Sequence, residues 1–202
     1  MKYLFKYILL AAITVLLPSF VLAQDSEAEQ VKKVMVKTTK NFYDILNDKN
    51  NNKKIRKQKV LNEVGPLLDF SLMARLALNK KTWKSISKSQ RSKFSEIFIA
   101  RIKKSYLDKL DIFSDIEVVI ENSKRVKKNR IEVTALLKTK ADTKKLVYKF
   151  YQTKKKEWLI YDISIVGVSF LQSYRSQFSA YLKNNSFDDL IKKLKDSSVP
   201  ID

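Results

Sequence analysis

Apolar residues in the first half of the chain recur every three or four positions, which is the period of an amphipathic helix. This spacing predicts four helices, at 26–47, 55–64, 70–78 and about 88–109. Asp69 is a candidate N-cap for the third helix. Ser87 and Gln90 have the spacing of a capping box, which predicts the start of the fourth.

From Asp115 onward the apolar period changes to two, which indicates strands. Four strands are predicted, at 116–121, 131–137, 145–152 and 157–166. Their short connections favour an antiparallel meander. Simple alternation places Tyr161 and Ile163 on one face of the last strand and Ile160 on the other. Both faces carry apolar side chains, so we expect helices on one face and a further helix, or something that is not protein, on the other.

The end of the chain is again helical. Ser169 and Gln172 repeat the capping pattern before an apolar stripe, and a final short helix is predicted at 187–195. Helices, then a meander, then helices define an α+β protein. The chain has only two glycines and three prolines, and no linker interrupts it. We therefore expect a single domain over residues 24–202.

The N-terminus has the three parts of a signal peptide. Lys2 and Lys6 precede an apolar run from Tyr7 to Leu17, and Val21-Leu22-Ala23 provides small residues for cleavage before Gln24. The run is short for a bilayer span of about 20 residues. Residues 1–23 are therefore predicted to be removed during export.

Two absences limit the chemistry. The chain contains no cysteine, which excludes thiolate catalysis and Cys-based zinc sites. It also contains no histidine, the usual general base and the commonest transition-metal ligand. We expect no catalytic residues, no metal site and no cofactor.

The formal net charge is +20, which suggests anionic partners. However, 34 of the 41 basic residues are Lys and only seven are Arg, and they are spread along the chain. Arg forks are preferred for specific nucleic-acid and phosphate recognition. We expect no nucleic acid. Two interpretations stay open, an ordinary Lys-rich surface and a surface used against anionic membranes.

Two blocks of sequence resemble one protein family. Asp69-Phe70-Ser71-Leu72-Met73-Ala74-Arg75 precedes Trp83 and the Gln90-Arg91-Ser92-Lys93-Phe94 helix. Trp158 to Asp162 leads into Gly167-Val168-Ser169-Phe170-Leu171-Gln172-Ser173-Tyr174-Arg175-Ser176-Gln177-Phe178. Over residues 30–195 the chain is similar to the MlaC family of periplasmic phospholipid-binding proteins, also called the toluene-tolerance auxiliary family.

The resemblance implies an α+β fold with an apolar cavity between sheet and helices. It implies a periplasmic carrier, expected to be monomeric, with phospholipid as its cargo. The implied partners are an outer-membrane lipoprotein complex and the MCE-ring subunit of an inner-membrane ABC transporter. The implied role is the maintenance of outer-membrane lipid asymmetry, without chemistry.

The residues expected to bind lipid lie on the predicted inward faces of the central elements. They are Met73, Phe94, Phe98, Val133, Tyr148, Phe150, Tyr161, Ile163 and Tyr174, with Arg175 as a candidate phosphate or rim contact. For each aromatic residue, ordinary core packing is the competing interpretation. For Arg175 the alternative is a surface ion pair with Asp188 or Asp189. Replacing Phe150 by Asp is expected to abolish lipid retention and leave the protein folded.

Two other functions are consistent with the residues. One is an enzyme that uses Asp162 and a nearby Tyr for acid–base chemistry, although Asp162 is more simply a hydrogen-bonding structural carboxylate. The other is a basic periplasmic protein that binds an anionic membrane surface or a glycan without a cavity for lipid tails. Salt would weaken such surface binding far more than it weakens the binding of tails.

Overall fold

The computed structural model describes residues 19–108 and 110–196, with side chains described from Ser26 onward. Residues 1–18 of the predicted signal peptide lie outside the described residues. The seven helices of the described part are α1 (Ser19–Leu46), α2 (Lys53–Val64), α3 (Phe70–Ala77), α4 (Lys80–Ser85), α5 (Lys88–Asp108), α6 (Phe170–Tyr181) and α7 (Phe187–Lys195). None of them is both long enough and apolar enough to cross a bilayer.

The predicted helix caps are present. Asp69 Oδ1 accepts the N–H of the residue three positions later at 2.8 Å. Ser87 and Gln90 form a reciprocal capping box, with distances of 3.0 and 3.1 Å. Ser169 Oγ accepts the Gln172 N–H at 3.1 Å. The six-residue helix α4 was not predicted, because it is too short to show a helical period; Asn79 caps it.

One antiparallel sheet follows the first five helices. Its strands are β1 (Glu117–Lys127), β2 (Arg130–Lys138), β3 (Thr143–Gln152), β4 (Trp158–Ile165) and β5 (Val168–Ser169), in the spatial order β1-β2-β3-β4-β5. The predicted meander is confirmed. The sheet has five strands and not four, because a tight turn at Val166-Gly167 lets Val168 pair with Ile165. Two residues are too few to show a strand period.

A β-bulge in β4 changes which side chains share a face. Phe150 of β3 pairs with Ile160, whereas the preceding Lys149 pairs with Asp162, so Tyr161 is the extra residue. A one-residue insertion reverses the alternation beyond it. Ile160 and Ile163 therefore lie on the same face and pack in one cluster. The expectation from simple alternation, that these two isoleucines lie on opposite faces, was wrong.

The core is divided between two large clusters. One lies among α3, α5, α6 and α7, around Phe94, Phe98 and Phe178. In the other, the first part of α1 packs on one half of the sheet, with Ala28, Val31 and Met35 against Ile131, Val133, Phe150 and Ile160. The other half of that sheet face is not covered by the first part of α1, and the candidate site lies there.

Candidate functional site

A cavity of about 740 Å³ lies between the open half of the sheet and the surrounding helices. Its volume falls in the range of ~300–1,000 Å³ that is typical of pockets for organic ligands. The sheet contributes Val118, Leu137, Leu146, Tyr148, Ile160, Ile163, Ile165 and Val168. The helices and their connections contribute mainly apolar side chains: Met35, Phe42, Val60, Leu61, Val64, Leu67, Leu68, Phe70, Met73, Ile102, Tyr106, Leu107, Leu110, Phe113, Phe170 and Tyr174.

The polar groups around the cavity are few and carry no negative charge. No Asp or Glu occurs among the described residues that line it, and its two charged residues are Arg101 and Lys103 of α5. Arg101 donates to the carbonyls of Leu194 and Asp196, at 3.2 and 2.9 Å. The Lys103 Nζ lies 4.6 Å from the centre of the Phe70 ring. This combination suits a ligand that is mostly apolar and has an anionic group.

The tyrosines of the cavity are uncharged at physiological pH. Burial raises the pKa of Tyr148 above the ordinary value of 10.0, and the nearby Tyr43 adds to the rise. Burial also raises the pKa of Tyr174. Both side chains therefore present an apolar ring and a neutral hydroxyl to whatever occupies the cavity.

Four of the ten residues predicted as lipid contacts line this cavity. Tyr148 and Ile163 come from adjacent strands, where they are paired across the sheet. Met73 comes from α3 and Tyr174 from α6. Because the two strands and the two helices converge here, residues far apart in sequence meet at one surface.

Phe94 and Phe98 lie elsewhere, in the helical core. Both are completely buried, and their rings are stacked with centroids 5.5 Å apart. Phe178 of α6 contacts both rings edge-on. This part of α5 faces α6 and α7 and not the sheet. The apolar stripe therefore predicted that the two residues are buried, but it did not predict which elements bury them.

Val133 and Phe150 also lie outside the cavity lining, although they are on the correct face of the sheet. Both are buried against the first half of α1, in the cluster that includes Val31 and Met35. The helix covers this half of the face completely. Alternation along a strand predicts the face, but it does not predict where a covering helix ends.

Tyr161 and Arg175 do not line the cavity either. The β4 bulge places Tyr161 beside Tyr151, with ring centroids 6.1 Å apart, and under the guanidinium of Arg130. Arg175 donates from Nε and a terminal nitrogen to the Leu76 carbonyl, at 2.8 and 2.6 Å. It joins α6 to the last turn of α3, which neither sequence-based interpretation of Arg175 anticipated.

Several lining residues were not predicted. Val60, Leu61 and Val64 of α2 form one wall, and Phe42 of α1 and Phe113 form another, with an edge-to-face ring contact between the two phenylalanines at 5.9 Å. The signal for α2 was present, because these three apolar residues interrupt a helix that is otherwise rich in Lys, Arg, Asn and Gln. Phe113 lies in a short 3-10 segment, Leu110–Asp115, which has no period to detect.

Asp162 is buried but fully engaged. It accepts hydrogen bonds from Lys149 Nζ at 2.9 Å, Ser169 Oγ at 2.7 Å and the Leu171 N–H at 3.2 Å. These bonds join β3 and β4 to the start of α6. Asp162 does not line the cavity, so its carboxylate holds the structure together and is not aimed at a ligand.

A second, open cleft of about 460 Å³ has a different character. It is lined by polar residues that include Asp69, Arg75, Arg91 and Tyr151. Asp69 accepts a hydrogen bond from the Tyr151 hydroxyl, and Arg91 donates to the Trp83 carbonyl at 2.8 Å. Asp69, Tyr151 and Arg91 are thus engaged in contacts within the protein. In the part of the chain that the structure describes, no group of three or more acidic residues could hold a metal ion.

The fold and the cavity define the class: an α+β protein whose sheet and helices enclose an apolar binding cavity. The chain belongs to the MlaC family, since the family model described as "MlaC protein" matches residues 36–196.

Two known proteins illustrate the relationship. The intermembrane phospholipid transport system binding protein MlaC of Haemophilus influenzae is 31% identical over 124 residues. That alignment covers 59% of this chain and 58% of the relative. The solved structure of a phospholipid-binding protein from Ralstonia solanacearum, in complex with a phospholipid, has the same fold with a TM-score of 0.67. It is 18% identical and covers 84% of this chain and 95% of that chain.

Proposed function

We propose that this protein is a periplasmic carrier that holds the acyl tails of a phospholipid in its cavity. In this proposal residues 1–23 are removed on export, and residues 24–202 form a single lipid-binding domain. The carrier moves lipid between an outer-membrane lipoprotein complex and the MCE-ring subunit of an inner-membrane ABC transporter. It thereby maintains the lipid asymmetry of the outer membrane without chemistry.

The observation that carries the proposal is the apolar cavity itself. Among the described residues, its lining has two basic side chains and no carboxylate. Two acyl tails with about 30 methylenes, at ~0.8 kcal/mol each, represent roughly 24 kcal/mol of unfavourable hydration in water. A carrier must hide most of that surface. It must also release the lipid again, which favours non-directional apolar contact over a strong polar clamp.

The relatives support phospholipid as the cargo and transport between membranes as the role. One is named as a phospholipid transport binding protein, and the other was solved with a phospholipid. Membership of the MlaC family supports the same assignment. The two partner complexes are part of the proposal, because transport between two membranes needs a donor and an acceptor.

An enzyme is less well supported by the geometry. General acid–base catalysis needs a positioned proton donor or acceptor at the substrate. The described lining has no carboxylate, and Asp162 is occupied by three hydrogen bonds outside the cavity. A protein that binds only a charged surface has no use for an apolar cavity of about 740 Å³.

Native mass spectrometry of the protein purified from its periplasm tests the proposal. The expected result is a mass increment equal to a two-chain phospholipid, and the same lipid is recovered by organic extraction. The protein should also take up a labelled phospholipid from vesicles. Purified protein that carries no phospholipid and exchanges none in would contradict the proposal.

A further inference from the structure

The turn between β4 and β5 presents an apolar tip to solvent. Val166 is 63% exposed and Val168 is 64% exposed, while the adjoining Ile165 is 46% exposed. These are three large apolar residues within four positions, with only Gly167 between them. Single exposed apolar side chains are ordinary, but a contiguous exposed group marks an interaction site.

The backbone of this tip adds a second observation. Val166 has φ +51° and Gly167 has φ +81°, so both residues are in the left-handed region. Glycine adopts this conformation freely, and Asn or Asp does so readily, but a β-branched residue is strained there. Hairpin turns of this kind usually carry Asn-Gly or Asp-Gly. Valine is strained at this position and gains little from burial, which points to a use for the side chain.

The tip lies directly at the cavity. Ile165 and Val168, which pair across the β4–β5 ladder, are both part of the lining. Tyr106 of α5 lines the cavity too, and it is half-exposed beside Phe170, with ring centroids 5.8 Å apart. An apolar surface therefore runs continuously from the interior to the tip.

Lysines surround this end of the sheet. The Val166 N–H donates to the Lys145 carbonyl at 2.8 Å, which fixes that exposed lysine next to the tip. Lys138 and Lys144 each approach an acidic group, Glu117 and Asp142, at 3.9 Å. Among the described residues no acidic partner lies within ion-pair distance of Lys145 or of Lys140 in the neighbouring turn. Positive charge around an apolar tip is complementary to an anionic lipid surface.

We propose that the Val166–Val168 tip inserts into the surface of an anionic membrane, with Lys140 and Lys145 on the lipid head groups, and joins the cavity to the bilayer. This proposal rests on the proposed function, because the carrier function supplies the phospholipid that would move along this apolar path. A lipid tail could then pass along Ile165 and Val168 with less exposure to water than in free transfer.

The test compares Val166→Asn with the unchanged protein in co-sedimentation with vesicles of phosphatidylethanolamine and phosphatidylglycerol. Asn is tolerated in the left-handed region, so the variant should be at least as stable as the unchanged protein. Val166 does not line the cavity, so bound phospholipid should be retained. Vesicle association should weaken about tenfold, because an exposed apolar side chain of the tip is replaced by a polar one. Val126→Asn is the matched control, since Val126 is 41% exposed at the opposite end of the sheet.

The contribution of the lysines is tested with Lys145→Gln and with vesicles of phosphatidylcholine, which has no net charge. Each change should reduce vesicle association. Equal association of the Val166→Asn variant and the unchanged protein would overturn the proposal. So would an unchanged protein that does not sediment with vesicles, a result that assigns the tip to a protein partner. Native mass spectrometry separates the two proposals: a lipid-free protein contradicts the carrier function, whereas lipid-loaded protein without vesicle association contradicts only the role of the tip.

Discussion

Tyr161 and Ile163 lie two positions apart on β4, and in a regular strand they would share a face. The bulge at Tyr161 separates them, so that Ile163 lines the cavity and Tyr161 packs with Tyr151 outside it. This local irregularity depends on how β3 pairs with β4. It could not be predicted from β4 alone, because a strand's own alternation contains no information about the pairing register.

Asp placed at these two positions gives a matched pair of variants. Ile163→Asp introduces a charge into the apolar cavity, where an acyl tail would exclude water from it, and bound phospholipid should be lost almost completely. Tyr161→Asp introduces the same charge on the other face, beside Arg130, and lipid content should be unchanged. Native mass spectrometry measures both, with circular dichroism to check folding. Equal lipid content in the two variants would contradict the assigned cavity wall.

Phe150 is a poorer site for this test than the sequence suggested. It is buried against α1 with Ile131 and Val133, so a charge there attacks the packing of the sheet itself. Ile163 is the better site for the substitution, because it lies on the same face of the sheet but in the half that lines the cavity.

Ionisation of Tyr148 is expected to lower the free energy of unfolding at alkaline pH. Its pKa is raised by burial, above the value of about 10 that it has in the unfolded chain. Below pH 10 the phenol is protonated in both states and contributes no pH dependence. Above pH 10 it ionises first in the unfolded chain, so the free energy of unfolding falls by up to about 1.4 kcal/mol per pH unit.

The control for this effect is Tyr148→Phe, which removes the ionising group and keeps the ring. Urea unfolding between pH 9 and pH 11 should show a shallower decline for the variant than for the unchanged protein. The lysines titrate in both proteins, so their contribution cancels in the comparison. Identical slopes would mean that the Tyr148 hydroxyl is hydrated in the folded state.

At the scale of the elements, local signals were predicted well and packing partners were not. The caps at Asp69, Ser87 and Ser169 are formed within one helical turn, so the sequence contains everything needed to place them. The apolar stripe of α5 predicted that Phe94 is buried. That its neighbours are α6 and α7 depends on the tertiary arrangement, which no periodicity encodes.

Arg175 joins two of these elements. Its guanidinium is the donor of two hydrogen bonds to the Leu76 carbonyl, in the last turn of α3. Arg175→Ala leaves that carbonyl without this donor and should lower the free energy of unfolding by about 1–3 kcal/mol, measured by urea denaturation. Arg175→Lys should recover part of the loss, since one ammonium can still donate. Lipid content per folded molecule should stay constant, and a selective loss of lipid would instead indicate a contact with cargo.

At the scale of the whole molecule, the covering of one sheet face explains the division between core and site. The first part of α1 covers one half of the face and forms a packed core with it. Around the other half, α2, α5 and α6 line a cavity. The α+β order and the apolar sheet were predictable from the sequence. The position of the boundary was not, and it decides that Val133 and Phe150 are core while Tyr148 and Ile163 are lining.

The most direct test of the central claim is photo-crosslinking with a phospholipid that carries a photoactivatable group in an acyl tail. Peptide mapping by mass spectrometry should place the crosslinks on β3, β4 and α6, at or beside Tyr148, Ile163 and Tyr174. A phospholipid of the same kind with the group on its head should not label these positions. Tail crosslinks confined to the exposed lysines, or to the buried pair Phe94 and Phe98, would contradict the account.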